Sequence, residues 1–244
     1  MGRFQILATD GEIGKVHDFF LDDECWAIRY LMVDTGHWLP GRKVLLPPSA
    51  IENPQWRERS FSVPLTREQV KTSPDIDTAK PVSRQREIEL HAHYGWPFYW
   101  TGSAVWPAPI MPLPPVEPPS DTAAENNNPH LRSVAEIIGY DVEAGDGNVG
   151  RVDDFIADDE TWHIRYLVVD TRKWLPGRKA LVAPEWITGP IRWADKTMNI
   201  VMSAEMVKLS PEFNSQVPLS REYENSLYDY YGRGCRRSPG RWRN

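Results

Sequence analysis

The fold is decided by the stretch GKVHDFFLDDECWAIRYLMVDT, residues 14–35 of a 244-residue chain. Two runs rich in aromatic and β-branched residues, Gly14–Leu21 and Trp26–Val33, flank the turn-forming triplet Asp22-Asp23-Glu24. This order predicts a β-hairpin. Apolar side chains occupy both alternation faces of the second run, which is typical of a strand covered on both sides. We therefore expect a small closed barrel packed against a further layer.

The same pattern returns 136 residues later as GRVDDFIADDETWHIRYLVVDT, residues 150–171. Residues 10–51 align with 146–187 without a gap and share 26 identities in 42 positions. Weaker matches follow at an offset of 137, down to Tyr94-Gly95 and Tyr231-Gly232. Each copy spans about 100 residues, a normal domain size, so we expect each to have its own core. The segment Leu131–Ile138 has no counterpart before the first copy, so the chain is expected to begin inside the first domain.

A change of composition separates the copies. Residues 106–119 contain seven prolines, and a polar stretch follows at 120–128. Proline-rich segments favour the polyproline II conformation and act as semi-rigid spacers. The predicted organisation is a first repeat at 1–100, a linker at 101–130, a second repeat at 131–232 and an arginine-rich tail at 233–244. The tail has five arginines and no acid, and we expect a solvated chain end.

Further short strands are predicted at Lys43–Leu46 and Ser60–Val63. Helices are predicted late in each copy, in the first at Thr66–Lys71, with Thr66 as N-cap, and at Ser83–Tyr94. The expected fold class is mainly β, with two small β-barrels that each carry one or two short C-terminal helices.

The ordered pattern of both copies resembles the PRC-barrel family. It runs Asp-Gly-x-x-Gly-x-Val-x-Asp-Phe, then Asp-Asp-Glu-x-Trp-x-Ile-Arg-Tyr-Leu-x-Val-Asp-Thr, then Trp-Leu-Pro-Gly-Arg-Lys. Members include the cytoplasmic domain of the photosynthetic reaction centre H subunit and the C-terminal domain of the ribosome maturation factor RimM. The resemblance implies a strongly bent β-barrel with a role in protein–protein assembly. It implies no catalytic residues, and the chain is similar to bacterial tandem PRC-barrel proteins.

The best candidates for partner binding lie in a Pro-Gly turn that occurs in both copies, because Trp and Arg are common interface anchors. They are Trp38, Leu39, Pro40 and Arg42 in the first copy and Trp174, Leu175, Pro176 and Arg178 in the second. The alternative is internal: the Trp would close the barrel end, and the Arg would pair with an acid such as Asp34. Trp96 and Trp100 belong to an aromatic run that we expect to dock on its own barrel.

No reactive constellation stands out. No nucleotide-binding or hydrolase motif occurs, and the six histidines are not kept in pairs across the duplication. The acidic triplet lacks the spaced ligands of a calcium loop, so a solvated turn is favoured. We therefore expect no cofactor, no metal site and no enzymatic activity.

The net charge of −6 argues against general nucleic-acid binding. No apolar run is long enough to span a bilayer and no signal sequence is evident, so the expectation is a cytoplasmic protein. The leading hypothesis is a protein–protein assembly or adaptor module with an unknown protein partner. Its two barrels would form an intramolecular pseudo-dimer or take part in a homo-oligomer. Alternatives are an H-subunit-like role in light-driven electron transfer or an RNA- or ribosome-linked role.

Overall fold

A computed structural model describes residues 4–74, 82, 84–99, 131–171 and 178–235 of the chain. The chain divides into two compact units. Unit 1 comprises residues 1–135 and 159–163, and unit 2 comprises residues 136–158 and 164–244. The start of the second copy, residues 131–135, thus lies in unit 1. The predicted linker at 101–130 and residues 236–244 of the predicted tail lie outside the described residues.

Unit 1 contains seven strands, two α-helices and a 3-10 helix at Pro48–Ala50 among its described residues. They are β1 (Gln5–Ala8), β2 (Gly11–Asp22), β3 (Ala27–Asp34), β4 (Lys43–Leu46), β5 (Glu52–Gln55), β6 (Ser60–Ser62), α1 (Arg67–Lys71), α2 (Arg84–Tyr94) and β7 (Leu131–Ser133). The predicted hairpin corresponds to β2 and β3, which pair antiparallel. Thr66 caps α1 as predicted and forms a capping box with Gln69.

The strands of unit 1 follow the order β4-β3-β2-β1-β6-β5, with β7 added on β2. Strand β1 runs antiparallel to β2 and parallel to β6. The end strands β4 and β5 do not pair with each other within the described residues, so the sheet is open there. The mainly β class with short helices is confirmed, but the prediction of a closed barrel is wrong.

The two apolar faces of β3 pack into different clusters. Leu31 and Val33 pack into one cluster with residues of β1, β2, β4 and β6. Tyr30 and Met32 point to the other face and pack into a second cluster. Three residues outside the β2–β3–β4 sheet complete that second cluster, namely Val82, Leu90 of α2 and Leu131 of β7. Helix α2 and strand β7 therefore form the further layer that was predicted to cover the second face of β3.

Strand β7 is held on β2 by a side chain as well as by the ladder. Leu131 to Ser133 pair antiparallel with the last three residues of β2, Phe20 to Asp22. The Asp18 carboxylate, 5% exposed, accepts hydrogen bonds from the Ser133 hydroxyl and, at 3.1 Å, from the Ala135 N–H. A buried carboxylate needs such donors to offset its lost hydration. Unit 1 thus contains, at its β2 edge, the segment that the sequence places at the start of the second copy.

Unit 2 repeats the arrangement with one strand fewer among its described residues. Its elements are α3 (Val134–Ile137, beginning in unit 1), β8 (Asp141–Ala144), β9 (Gly147–Ala157), β10 (Ile164–Asp170), β11 (Lys179–Val182), β12 (Ile187–Arg192), β13 (Thr197–Ile200), α4 (Ala204–Leu209) and α5 (Arg221–Cys235). The strand order is β11-β10-β9-β8-β13-β12, matching unit 1 strand for strand. The described residues contain no counterpart of β7 in this sheet.

The Asp-Gly-x-x-Gly motif of each copy has a structural role. A Cβ atom on Gly14 would overlap the carbonyl oxygen of Asp34, and one on Gly150 would overlap that of Asp170. Only glycine permits this approach of β2 to β3 and of β9 to β10. The motif's aspartate caps a helix: Asp10 accepts the N–H of Arg67 at the start of α1, at 2.9 Å.

Asp18→Ala is predicted to loosen β7. It leaves the Ser133 hydroxyl and the Ala135 N–H without their acceptor, which costs about 2 kcal/mol. Hydrogen exchange at residues 131–133 should become faster by about tenfold or more.

The matched control is Asp154→Ala, which removes the equivalent carboxylate of unit 2 and leaves the β7 contacts intact. Unchanged exchange at 131–133 in Asp18→Ala would show that the ladder alone holds β7.

Candidate functional site

The most densely connected polar side chains of unit 1 lie between β3 and α2. We call Tyr30, Arg84, Glu87, His91 and Tyr99 the polar cluster. The Tyr30 hydroxyl lies 3.1 Å from Glu87 Oε1 and 2.6 Å from His91 Nε2. The Tyr99 hydroxyl donates to Glu87 Oε1 at 2.6 Å, and Arg84 pairs with Glu87 Oε2 at 2.8 Å. Glu87 and His91 stand one turn apart on α2, so both reach the same tyrosine.

Burial dominates the electrostatics of this cluster. Glu87 is 2% exposed and His91 3% exposed. Burial raises the pKa of Glu87 to about 7, against the opposing effect of the Arg84 cation. Burial lowers the pKa of His91 to about 4, because the imidazolium would lose its hydration. At neutral pH the histidine is therefore uncharged, and Glu87 takes up a proton more readily than an exposed glutamate does.

The hydrogen bonds fix where the protons sit. His91 Nδ1 lies 2.9 Å from the carbonyl oxygen of Pro97, which can only accept, so Nδ1 carries the single proton of the neutral ring. His91 Nε2 then accepts from the Tyr30 hydroxyl. That hydroxyl has one proton and a second acceptor in Glu87 Oε1. The Tyr30 hydroxyl therefore divides its one proton between His91 Nε2 and Glu87 Oε1, and Glu87 Oε1 also accepts from the Tyr99 hydroxyl.

Unit 2 carries a reduced form of the cluster. Tyr166, equivalent to Tyr30, donates to Glu224 Oε1 of α5 at 3.0 Å, and Arg165 binds the same oxygen at 2.9 Å. Tyr228 stands where unit 1 has His91, and its ring centroid lies 6.5 Å from that of Tyr166. Tyr228 is 43% exposed, whereas His91 is buried. The tyrosine–glutamate contact is thus duplicated, but the histidine is specific to the first copy.

Sequence reasoning missed this cluster although a signal was present. At the offset of 137, helix α2 aligns with the start of α5 through Arg84/Arg221, Glu87/Glu224 and Leu90/Leu227. Both copies have a glutamate at this helix position, Glu87 or Glu224, and a tyrosine in the hairpin, Tyr30 or Tyr166. This shared pair indicates a contact that both units make. The side chains contact one another, and Tyr30, Glu87 and His91 are buried, so the cluster is suited to fixing α2 on the sheet.

The predicted partner-binding arginines are used inside their own units. Arg42 donates to the carbonyl oxygens of Lys71, at 2.6 Å, and of Ser73, at the C-terminal end of α1. Arg178 donates to the carbonyl of Ser210 at the end of α4. Carbonyls at a helix C-terminus attract cations. The expected alternative partner, Asp34, instead accepts the N–H of Gly36.

Trp38 lies at the edge of the unit 1 core and of a groove. Its indole N–H donates to the Ile13 carbonyl, and its ring packs against the first apolar cluster. The Arg67 guanidinium stacks over the ring at 4.4 Å. The groove has a volume of about 500 Å³ and is also lined by His17 and His37. The Trp38–Arg67 groove thus combines an aromatic surface with titratable and charged groups.

The remaining candidates are placed as follows. Leu39 is half-buried and Pro40 exposed. Trp96 stacks on Tyr94 at 4.2 Å and packs against both apolar clusters of unit 1, an internal position. The candidates Trp100, Trp174, Leu175 and Pro176 lie outside the described residues.

The acidic turn is organised by its own backbone. Asp22 accepts the N–H groups of Glu24 and Cys25 at 3.1 and 3.3 Å, and its other oxygen lies 3.4 Å from Arg29. Within the described part of the chain, no three His, Cys, Asp or Glu side chains are grouped to hold a metal ion. No helix there is long and apolar enough to cross a membrane.

Opposite pH profiles are predicted for two neutral variants of the polar cluster. The folded pKa of Glu87 is raised from 4.5 to about 7, so its contribution to stability is lost as pH rises through that window. The folded pKa of His91 is lowered from 6.5 to about 4, so its contribution is lost as pH falls through that window. The windows overlap, and the two effects oppose each other in the native protein.

His91→Gln should therefore make the docking of α2 weaken from pH 4.5 to 7, and Glu87→Gln should make it strengthen from pH 4 to 6.5. Changes on the order of 1–3 kcal/mol are expected. The measurement is hydrogen exchange of α2, corrected for the intrinsic pH dependence of exchange. Glu224→Gln in unit 2 is the control, and parallel slopes in the two unit 1 variants would contradict the assignment.

Arg42→Met is predicted to lower the free energy of unfolding by about 1–2 kcal/mol, because the carbonyls at the end of α1 lose their donor. Urea unfolding measures this, with the exposed Arg57→Met as control. Wild-type stability in Arg42→Met would instead favour a role for Arg42 in partner binding.

Comparison with known proteins supports the family on the second copy. Residues 129–196 match the family model of the PRC-barrel domain. The match begins just before β7 and ends before β13, so it includes the β9–β10 hairpin and the repeated segment 146–187. A search of curated proteins finds no match. Residues 129–196, in the second copy, therefore carry the match to the PRC-barrel domain family.

Proposed function

We propose that the chain is a non-catalytic tandem PRC-barrel protein that acts as a protein–protein assembly or adaptor module. The tandem assignment is supported by the 26 identities between residues 10–51 and the family-matched residues 146–187. It is also supported by the identical strand order of the two sheets.

The observation that carries the assembly role is the docking of β7 on β2. A short extended segment binds the sheet through ladder pairing, an apolar anchor in Leu131 and a carboxylate in Asp18. Strand addition of this kind is a general mode by which proteins bind other polypeptides. Unit 1 thus already binds one extended segment, β7, by adding it to the edge of β2.

The Trp38–Arg67 groove is the second surface that supports the proposal. Tryptophan and arginine are the residues most often found at binding hot spots. By contrast, the groups best suited to acid–base chemistry, Glu87 and His91, are buried, and both are hydrogen-bonded to the Tyr30 hydroxyl. This distribution favours binding over catalysis.

The test is affinity purification of the tagged full chain from its native host, with mass spectrometry of the retained proteins. We expect a protein partner at fixed stoichiometry, and we expect Arg67→Glu to reduce its recovery at least about tenfold by reversing the charge of the groove. Glu68→Lys is the matched control, because Glu68 is the next residue of α1 and is exposed.

A preparation that retains no stoichiometric protein would contradict the assembly role. So would retention of RNA in place of protein, or turnover of a substrate by the purified chain.

A further inference from the structure

The equivalent edges of the two sheets differ in occupancy. In unit 1 the last three residues of β2 pair with β3 on one side and with β7 on the other. In unit 2 the corresponding residues at the end of β9 pair with β10 on one side. Strand β8 pairs only with the first half of β9, residues 147–151. No described strand lies on the free side of residues 155–157.

The difference shows in the burial of matched residues. Phe20 and Leu21 are 1% and 0% exposed beneath β7. Their counterparts at an offset of 136 are Ile156, which is half-buried, and Ala157, which is exposed. Unpaired strand edges present free N–H and C=O groups and are templates for pairing with a further strand.

The carboxylate that holds β7 also has its counterpart. Asp18 accepts the N–H of its neighbour Phe19 at 2.8 Å, and Asp154 accepts the N–H of Phe155 at 2.9 Å. The same local bond orients both carboxylates. Asp18 is 5% exposed and also accepts from Ser133 and Ala135, whereas Asp154 is half-buried. Unit 2 therefore keeps the acceptor group of a docking edge.

We propose that the edge of β9 at residues 154–157, on which no described strand lies, binds an extended segment of a partner protein as an added antiparallel strand. The segment has the chemistry of β7: an apolar residue followed two positions later by serine or threonine, whose hydroxyl donates to Asp154. By the register of β7 on β2, the hydroxyl residue lies opposite Ile156 and the apolar residue opposite Asp158. The inference rests on the proposed assembly function and specifies the class of partner.

A peptide of this chain's own residues 130–136, which contains the β7 sequence, is the probe. Fluorescence anisotropy of the labelled peptide with the full chain should show saturable binding with one site per chain. Asp154→Ala should weaken binding about tenfold or more, because the peptide loses a charged acceptor. Asp153→Ala is the matched control, since Asp153 pairs instead with Lys179 at 2.6 Å.

Hydrogen exchange separates the two edges. Bound peptide should protect residues 153–158 and leave residues 18–22 unchanged, because the tethered β7 has the advantage of a high local concentration. A peptide whose serine is replaced by alanine should bind several-fold more weakly. Circular dichroism of Asp154→Ala is expected to match that of the wild type, so that loss of binding is not loss of fold.

Absence of binding, equal binding to Asp154→Ala, or protection at 18–22 in place of 153–158 would overturn the inference. These outcomes are independent of partner recovery from the host. If a host partner is recovered but the peptide does not bind, the proposed β9 site is wrong and the assembly role still stands.

Discussion

Strand β3 has apolar side chains on both faces, and unit 1 is built around the need to cover both. Sheet residues of β1, β2, β4 and β6 enclose one face. The other face, with Tyr30 and Met32, is closed by α2 and by β7, which arrive from distant parts of the sequence. The hydroxyl of Tyr30 is then buried, and the polar cluster satisfies it. The docked helix and the added strand both follow from this one constraint.

The duplication has kept contacts that fix elements to one another. Arg42 and Arg178 bind the carbonyls at a helix end in both units, and a tyrosine–glutamate contact ties a late helix to the hairpin in both. What differs is the third partner, His91 in one copy and Tyr228 in the other, and the occupancy of the β2 and β9 edges. The two units thus share a scaffold and differ in the third partner of the conserved tyrosine and in the described pairing of one strand edge.

The sequence could predict the elements whose signals are local. The hairpin, β4 and α1 with its Thr66 cap follow from alternation, turn residues and a capping residue within a few positions of each other. The sequence shows that both faces of β3 must be buried. It does not show which residues bury them, because Leu90 and Leu131 are distant in sequence and no local pattern links them to β3. The Arg42 contact was missed for a similar reason, since its partners are backbone carbonyls, which no residue type identifies.

The docking of β7 also orders events during synthesis. Roughly 110 residues separate the end of β2 from Leu131, which takes the ribosome about 5–20 seconds at the usual rate of elongation. Until then the β2 edge is unpaired and Phe20 lacks its cover, although the rest of the first hairpin has already been made. During this interval the nascent first unit therefore exposes an unpaired strand edge, which can pair with another chain. A chaperone or a binding partner that acts in this interval would meet an edge like that of β9, on which no described strand lies.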